Sequence, residues 1–117
     1  MEIIAGTLEL SRLKEMAANG FGRLVKAVVD IDRELLAVDA ELHSDLEALL
    51  LENGSKQKSL WGINLYPEME GGEDFIEFDS VINMRPSENN RSRGIENKDT
   101  REKIIEIVNK RIKSVSA

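Results

Sequence analysis

The sequence contains no cysteine, a single histidine and few aromatic residues. Without cysteine there can be no disulfide bond, thiolate metal site or cysteine nucleophile, which is compatible with a reducing cytoplasm. Aromatic residues make up only 4% of the chain, so leucine, isoleucine, valine and methionine must fill the core. No apolar run approaches the ~20 residues of a membrane-spanning helix. The first six residues also lack the apolar stretch of a signal peptide. We therefore expect a cytoplasmic protein that does not enter a membrane.

The motifs of the common catalytic and cofactor-binding folds are also missing. The sequence has no GxSxG, P-loop, GxGxxG or HExxH pattern. The single histidine could serve a Ser–His–Asp triad, but nothing marks the nucleophile of such a triad. We therefore expect no cofactor, and the sequence favours a binding protein over an enzyme.

The chain that remains has the composition of a folded domain, with 117 residues of which 41% are hydrophobic and 32% charged. At this length we expect residues 1–117 to form one domain. The net charge of −6 is unevenly spread, since residues 1–84 have 7 basic and 17 acidic side chains and residues 85–117 have 9 and 5. Two copies would be complementary in charge, so a homo-oligomer is one expectation, and chance segregation of charge is the alternative.

Hydrophobic periodicity predicts an α+β fold with the element order β-α-β-β-α-β-β-α. The predicted strands cover residues 2–6, 24–31, 35–38, 61–66 and 75–84. Two pairs of these strands are typical of hairpins. We therefore expect an antiparallel or mixed sheet of about five strands with three helices packed on it.

Capping signals predict where the three helices begin. Thr7 is the predicted N-cap of the first helix, Ser44 and Glu47 form a capping box for the second, and Asp99 begins the third. The expected apolar stripe of the last helix consists of Ile104, Ile105, Val108, Ile112 and Val115.

The most distinctive segment is residues 83–94, which we call the Arg/Asn loop because it contains three arginines and three asparagines. Guanidinium groups bind carboxylate or phosphate oxygens two at a time, and asparagines add oriented donors and acceptors. The loop and the adjoining strand face are therefore predicted to bind an anionic ligand or an acidic protein surface. The predicted ligand-binding residues are Asn64, Asn83, Arg85, Asn90, Arg91 and Arg93.

A purely structural role for the same loop is the alternative. Arg85 would then pair with Glu77 or Asp79, and the asparagines would satisfy the backbone of their own loop.

A second candidate site surrounds the only histidine. His43 and Glu47 are four residues apart, the spacing that brings two ligands together on one helical turn, and Glu41 could complete a carboxylate-rich metal site. The role of Glu47 in the capping box argues against a metal there. We therefore expect no metal site, with Glu41, His43 and Glu47 as the only candidate set.

Three functions follow from these patterns. The first is a small non-enzymatic binding or regulatory module that uses the Arg/Asn loop. The second is a small enzyme acting on a phosphorylated or carboxylated metabolite, in which His43, Glu77 or Asp79 would move a proton. The third is weak nucleic-acid binding, which the overall negative charge disfavours.

Four runs of the sequence together resemble a known family. They are Glu41–His43, Leu49–Gln57, Trp61–Pro67, and the segments Asn83–Ser87 and Asn90–Arg93 of the Arg/Asn loop. In combination they resemble a family of small prokaryotic proteins catalogued as a domain of unknown function. The resemblance spans nearly the whole chain. It implies a bacterial or archaeal cytoplasmic protein, and it implies no activity, substrate or catalytic residue.

Overall fold

The computed structural model describes residues 1–114, and its centre is a five-stranded antiparallel sheet. The strands are β1 (Glu2–Ile4), β2 (Leu8–Glu9), β3 (Val25–Asp30), β4 (Leu35–Val38), β5 (Leu60–Leu65), β6 (Ile76–Glu77) and β7 (Ile112–Lys113). The helices are α1 (Leu10–Asn19), α2 (His43–Glu52) and α3 (Lys98–Arg111). The main sheet has the order β1-β4-β3-β5-β6, and β2 pairs with β7 in a separate parallel ribbon. The predicted α+β class, the three helices and the five-stranded sheet are confirmed.

The hairpin of β3 and β4 forms where the sequence predicts it. Val25, Ala27 and Val29 alternate along β3, so they share one face and are all buried. The turn is fixed by Asp30, whose Oδ1 accepts hydrogen bonds from the backbone N–H groups of Asp32 and Arg33 at 2.9 and 3.0 Å. A buried carboxylate thus supplies the acceptors that the turn backbone needs.

Helices cover both faces of the sheet. Leu13 of α1 and Ile104 of α3 belong to one buried cluster with the inward side chains of β3 and β5. Leu46 and Leu50 of α2 pack with Val28 and Leu60 in a second cluster on the opposite face. α2 has only ten residues, and polar side chains of β5 and β6 occupy the part of this face where a cleft opens beside the helix. None of the helices within residues 1–114 is long and apolar enough to span a membrane.

Each predicted helix N-cap lies two residues from the observed one. α1 begins at Leu10 rather than after Thr7, because the two residues before it pair as β2 with β7. α2 begins at His43 and has no side-chain cap, so the capping box of Ser44 does not form. α3 begins one residue before Asp99, because Asn97 is its N-cap and accepts a hydrogen bond from the backbone N–H of Thr100 at 3.1 Å.

The apolar stripe of α3 also differs from the predicted one. Ile104 and Val108 are buried as expected, but Ile107 is buried instead of Ile105, which is 39% exposed. Ile112 lies in β7 rather than in the helix, and Val115 lies outside the described residues. The helix ends at Arg111 since the chain then pairs with β2, a contact between distant parts of the sequence.

The predicted strand over residues 75–84 is wrong beyond Glu77. The chain leaves β5, and the Oγ of Ser80 accepts a hydrogen bond from the backbone N–H of Ile82 at 3.3 Å, which starts a short 3-10 turn. Ser80 packs so closely on Gly62 that a Cβ added to that glycine would lie 2.6 Å from the Cβ of Ser80. The turn therefore depends on the absence of a side chain at position 62.

Candidate functional site

Asn83, the first residue of the Arg/Asn loop, replaces the missing part of β6 at the edge of the sheet. Its side chain is fully buried, and its Oδ1 accepts a hydrogen bond from the backbone N–H of Gly62 at 2.8 Å. Its Nδ2 donates to the carbonyl oxygens of Gly62 at 2.9 Å and Arg93 at 3.0 Å. One amide side chain thus supplies the donor and the acceptor that a neighbouring strand would supply.

Asn90 holds the Arg/Asn loop closed on itself. Its Nδ2 donates to the carbonyl oxygens of Asn83 and Gly94, both at 2.7 Å, and its Oδ1 accepts from the backbone N–H of Glu96 at 2.8 Å. Only 2% of this residue is exposed. Its amide groups are therefore occupied by loop backbone.

Arg85 is bound to the first residue of β5 and to the short turn before that strand. Its Nη1 and Nη2 donate to the carbonyl oxygens of Gln57 at 2.5 Å and Leu60 at 2.7 Å, and its guanidinium lies 4.0 Å from the centre of the Trp61 ring. Burial lowers the pKa of Arg85. Within residues 1–114, Arg85 forms no ion pair with Glu77 or Asp79, the partners expected if the role of the loop were purely structural.

Arg91 contributes its backbone rather than its side chain to the loop. The carboxylate of Glu96 accepts hydrogen bonds from the backbone N–H groups of Arg91 at 2.6 Å and Ser92 at 3.1 Å. These two bonds hold the pKa of Glu96 below its usual value. The side chain of Arg91 is exposed.

A cleft of about 660 Å³ lies beside the start of α2, between β3, β5, β6 and the segment that follows β6. Its polar lining consists of Lys26, His43, Ser44, Asn64, Tyr66, Glu77, Asp79, Ser80 and Arg93. Of the six predicted ligand-binding residues, Asn64 and Arg93 line this cleft. Asn83, Arg85, Asn90 and Arg91 do not.

The floor of the cleft is organised around Glu77 in β6. Asn64 is its register partner on β5, and the Nδ2 of Asn64 donates to the Oε1 of Glu77 at 2.8 Å. The hydroxyl of Tyr66 donates to the same oxygen at 3.1 Å. Burial and this hydrogen bond raise the pKa of Tyr66. Asn64, Tyr66 and Glu77 therefore lie on one side of the sheet.

An ion pair between Asp79 and Arg93 forms one wall of the cleft. The Nε of Arg93 donates to the Oδ1 of Asp79 at 2.7 Å, and this hydrogen bond raises the pKa of Arg93. Within residues 1–114, the two terminal nitrogens of Arg93 make no hydrogen bond. The carboxylate of Asp79 thus orients the guanidinium through Nε, and the two terminal nitrogens stay available to a ligand.

His43 stands at the first position of α2 with its ring in the cleft wall. Its Nε2 lies 2.8 Å from the carbonyl oxygen of Ile63. A carbonyl only accepts, so Nε2 carries the proton and Nδ1 is the basic nitrogen of the neutral ring. Burial lowers the pKa of His43, and the charge of Lys26 acts in the same direction against the opposing effects of the Ile63 carbonyl and Asp79.

The candidate metal set around His43 does not assemble. Within residues 1–114, no three histidine, aspartate or glutamate side chains lie close enough together to hold a metal ion. Glu41, His43 and Glu47 are therefore not joined in one site, although helix α2 includes two of them.

Sequence reasoning missed several residues that reach the cleft from other elements. Lys26 comes from β3, Phe21 from the segment before it, Leu42 from the residue before α2, and Val81 from the 3-10 turn. The alternation of β3 does place Lys26 on the polar side of its strand, which is the one signal that could have pointed to it. Phe21 and Leu42 are apolar residues in connecting segments, where periodicity carries no information, and Val81 lies in the 3-10 turn that replaces part of the predicted strand.

The chain matches a family of proteins of unknown function, DUF5674, over residues 2–111. It belongs to this family. The DUF5674 match confirms the resemblance seen in the sequence and includes the whole cleft and the whole Arg/Asn loop. The comparisons with curated proteins and with solved structures gave no match.

Proposed function

We propose that this DUF5674 protein is a non-enzymatic binding module whose cleft holds a small polar ligand with an anionic group. The cleft volume of about 660 Å³ falls within the range of typical small-molecule sites. Its polar groups converge from β3, β5, β6, α2 and the Arg/Asn loop, so a bound molecule would be contacted from several directions.

One observation supports this proposal above the others. Arg93 is held by Asp79 through Nε alone, and its two terminal nitrogens have no partner within residues 1–114. A guanidinium that is already oriented loses less freedom when it binds a carboxylate or a phosphate. Arg93 is also the one arginine of the Arg/Asn loop that lines the cleft.

The proposal is tested by comparing two arginines of the same loop. A thermal-shift panel of inorganic phosphate, succinate and benzoate identifies a binding anion, and calorimetry then measures its Kd. Arg93→Gln should weaken binding at least tenfold. Arg91→Gln removes the same charge two residues away and should change Kd less than twofold. Equal effects of the two variants would show that the cleft is not the binding site.

A second candidate function is an enzyme that moves a proton in the same cleft. The observation that favours it is that the Nε2 of His43 is bonded to the Ile63 carbonyl, which leaves Nδ1 as the basic nitrogen, and that His43 lines one cleft with Glu77 and Arg93. NMR in D₂O tests it with succinate, whose carbon-bound protons would exchange only if a base removes them. Exchange that Arg93→Gln and His43→Gln both abolish would support an enzyme, and no exchange at saturation would argue for a binding module.

Three further expectations stay predictions. They are an acidic protein surface as the partner, self-association through the oppositely charged parts of the chain (residues 1–84 and 85–117), and a prokaryotic cytoplasmic location. Weak nucleic-acid binding is the least favoured, because the net charge is −6 and the cleft carries carboxylates as well as cations.

A further inference from the structure

The cleft carries both signs of charge in equal number, which restricts the ligand more than an anion-binding arginine alone. Lys26 and Arg93 are its cations, and Glu77 and Asp79 are its carboxylates. Each carboxylate uses one side-chain oxygen for the hydrogen bonds described above. Within residues 1–114, the second oxygen of each has no hydrogen-bond partner. A purely anionic ligand would therefore lie near two carboxylates, each with one oxygen to which it could not donate.

Three of the residues that line the cleft are both apolar and exposed. Phe21, Leu42 and Val81 are 49%, 55% and 63% exposed, and all three line the cleft. They are three of the eight large hydrophobic residues that are exposed within residues 1–114. The ammonium of Lys26 lies 5.0 Å from the centre of the Phe21 ring, which brings one cation to this apolar edge. A ligand that meets the charged groups and also covers these side chains needs an apolar group in addition to its charges.

We infer that the ligand is a zwitterion with an apolar side chain, of the class of leucine or phenylalanine. This inference rests on the proposed function and specifies its ligand. The carboxylate of the amino acid would bind the terminal nitrogens of Arg93, with Lys26 as the second positive charge. Its ammonium would donate to the unused oxygens of Glu77 and Asp79. Its side chain would cover Phe21 and Val81, which removes apolar surface from water.

Charge complementarity favours a zwitterion over a ligand that carries only one sign of charge. A ligand with only a carboxylate meets the repulsion of Glu77 and Asp79, and a ligand with only an ammonium meets that of Lys26 and Arg93. A zwitterion meets an opposite charge at each end. Among zwitterions, an apolar side chain distinguishes the class, because glycine would leave the three exposed hydrophobic residues uncovered.

The experiment is a calorimetric titration of the full chain with four probes. L-leucine has both charges and the side chain, N-acetyl-L-leucine lacks the ammonium, L-leucinamide lacks the carboxylate, and glycine lacks the side chain. L-leucine should bind at least tenfold more tightly than each of the other three. Val81→Ala should weaken binding of L-leucine several-fold. Met84→Ala, which shortens another exposed side chain outside the cleft, should not change it.

The outcomes separate this inference from the proposed function. If N-acetyl-L-leucine, succinate or phosphate binds as tightly as L-leucine and depends on Arg93, the inference is overturned and the proposed function stands. If no probe binds in an Arg93-dependent manner, both are overturned. A further check is Glu77→Gln, which should weaken L-leucine, whereas N-acetyl-L-leucine should bind at least as well as before because one repelling charge is gone. Equal weakening of the two probes would contradict an ammonium contact at Glu77.

Discussion

The Arg/Asn loop and the cleft share Arg93 but use their polar side chains in opposite ways. In the loop, Asn83, Arg85 and Asn90 direct their side chains to backbone carbonyl and N–H groups. In the cleft, Asn64, Tyr66 and Arg93 donate to carboxylate side chains, and some charged atoms have no partner within residues 1–114. The first arrangement stabilises a fold and the second can bind a ligand. Polar composition alone does not distinguish them.

The largest expected effect on stability is at Asn83. Asn83→Ala removes three hydrogen bonds and leaves the backbone polar groups of Gly62 buried without partners. Each such group costs about 1–3 kcal/mol, so the free energy of unfolding should fall by roughly 3–5 kcal/mol in urea titrations. Asn109→Ala, at an exposed position of α3, is the control and should stay within about 0.5 kcal/mol. A loss at position 83 below about 1 kcal/mol would show that the amide is dispensable.

A smaller loss is expected from Gly62→Ala. The added Cβ would lie 2.6 Å from the Cβ of Ser80, so the segment after β6 must shift, at a cost of about 1–3 kcal/mol. Thermal denaturation should show a lower Tm. Gly6→Ala, where a Cβ would meet no atom within 4 Å, should leave Tm nearly unchanged. An unaltered Tm for Gly62→Ala would contradict the close approach of Ser80.

Substitution of one arginine of the loop should lower stability without affecting ligand binding, and substitution of another should do the opposite. Arg85→Gln removes the bonds to two carbonyl oxygens and the contact with Trp61, and should lower the free energy of unfolding by about 1–3 kcal/mol. It should change ligand affinity less than twofold. Arg93→Gln breaks an exposed ion pair that solvent screens, so it should leave the urea midpoint nearly unchanged while abolishing most binding. Loss of binding in Arg85→Gln without loss of stability would reverse the two roles.

The smallest effect concerns pH. Since the pKa of His43 is lowered in the folded protein, the unfolded chain binds its proton more readily. The contribution of His43 to the free energy of unfolding is therefore present above about pH 6.5. It declines as the pH falls below that value, by at most about 1.4 kcal/mol per pH unit. His43→Gln should remove the decline between pH 6.5 and 5. The lowered pKa values of Glu34 and Glu96 act only below their usual value of 4.5, so they do not mask it.

The sequence predicts those elements whose information is local. Alternating apolar residues locate the β3–β4 hairpin, since a strand buries every second side chain. The helix starts and the length of β6 are not local properties. β2 displaces the predicted start of α1 by pairing with a strand a hundred residues away. Asn83 shortens β6 by taking over its bonds to Gly62.

The candidate site is predictable only in part, for the same reason. The side-chain period of β5 and β6 places Asn64, Tyr66 and Glu77 on one side of the sheet. The sequence does not show whether an asparagine is buried and bonded to the backbone or exposed and able to bind a ligand. The sequence therefore groups Asn90 with Arg93, whereas the hydrogen bonds separate them.

The most direct test of the central claim is a ¹H–¹⁵N NMR titration of the full chain with L-leucine, or with the tightest anion of the panel if that binds better. If the ligand binds in the cleft, the shifted amide signals should cluster at Lys26, Asn64, Glu77 and Arg93. The signals of Asn89 and Asn90 should remain in place. Shifts confined to residues 86–92, with the cleft signals unchanged, would contradict the account and return the binding site to the loop itself.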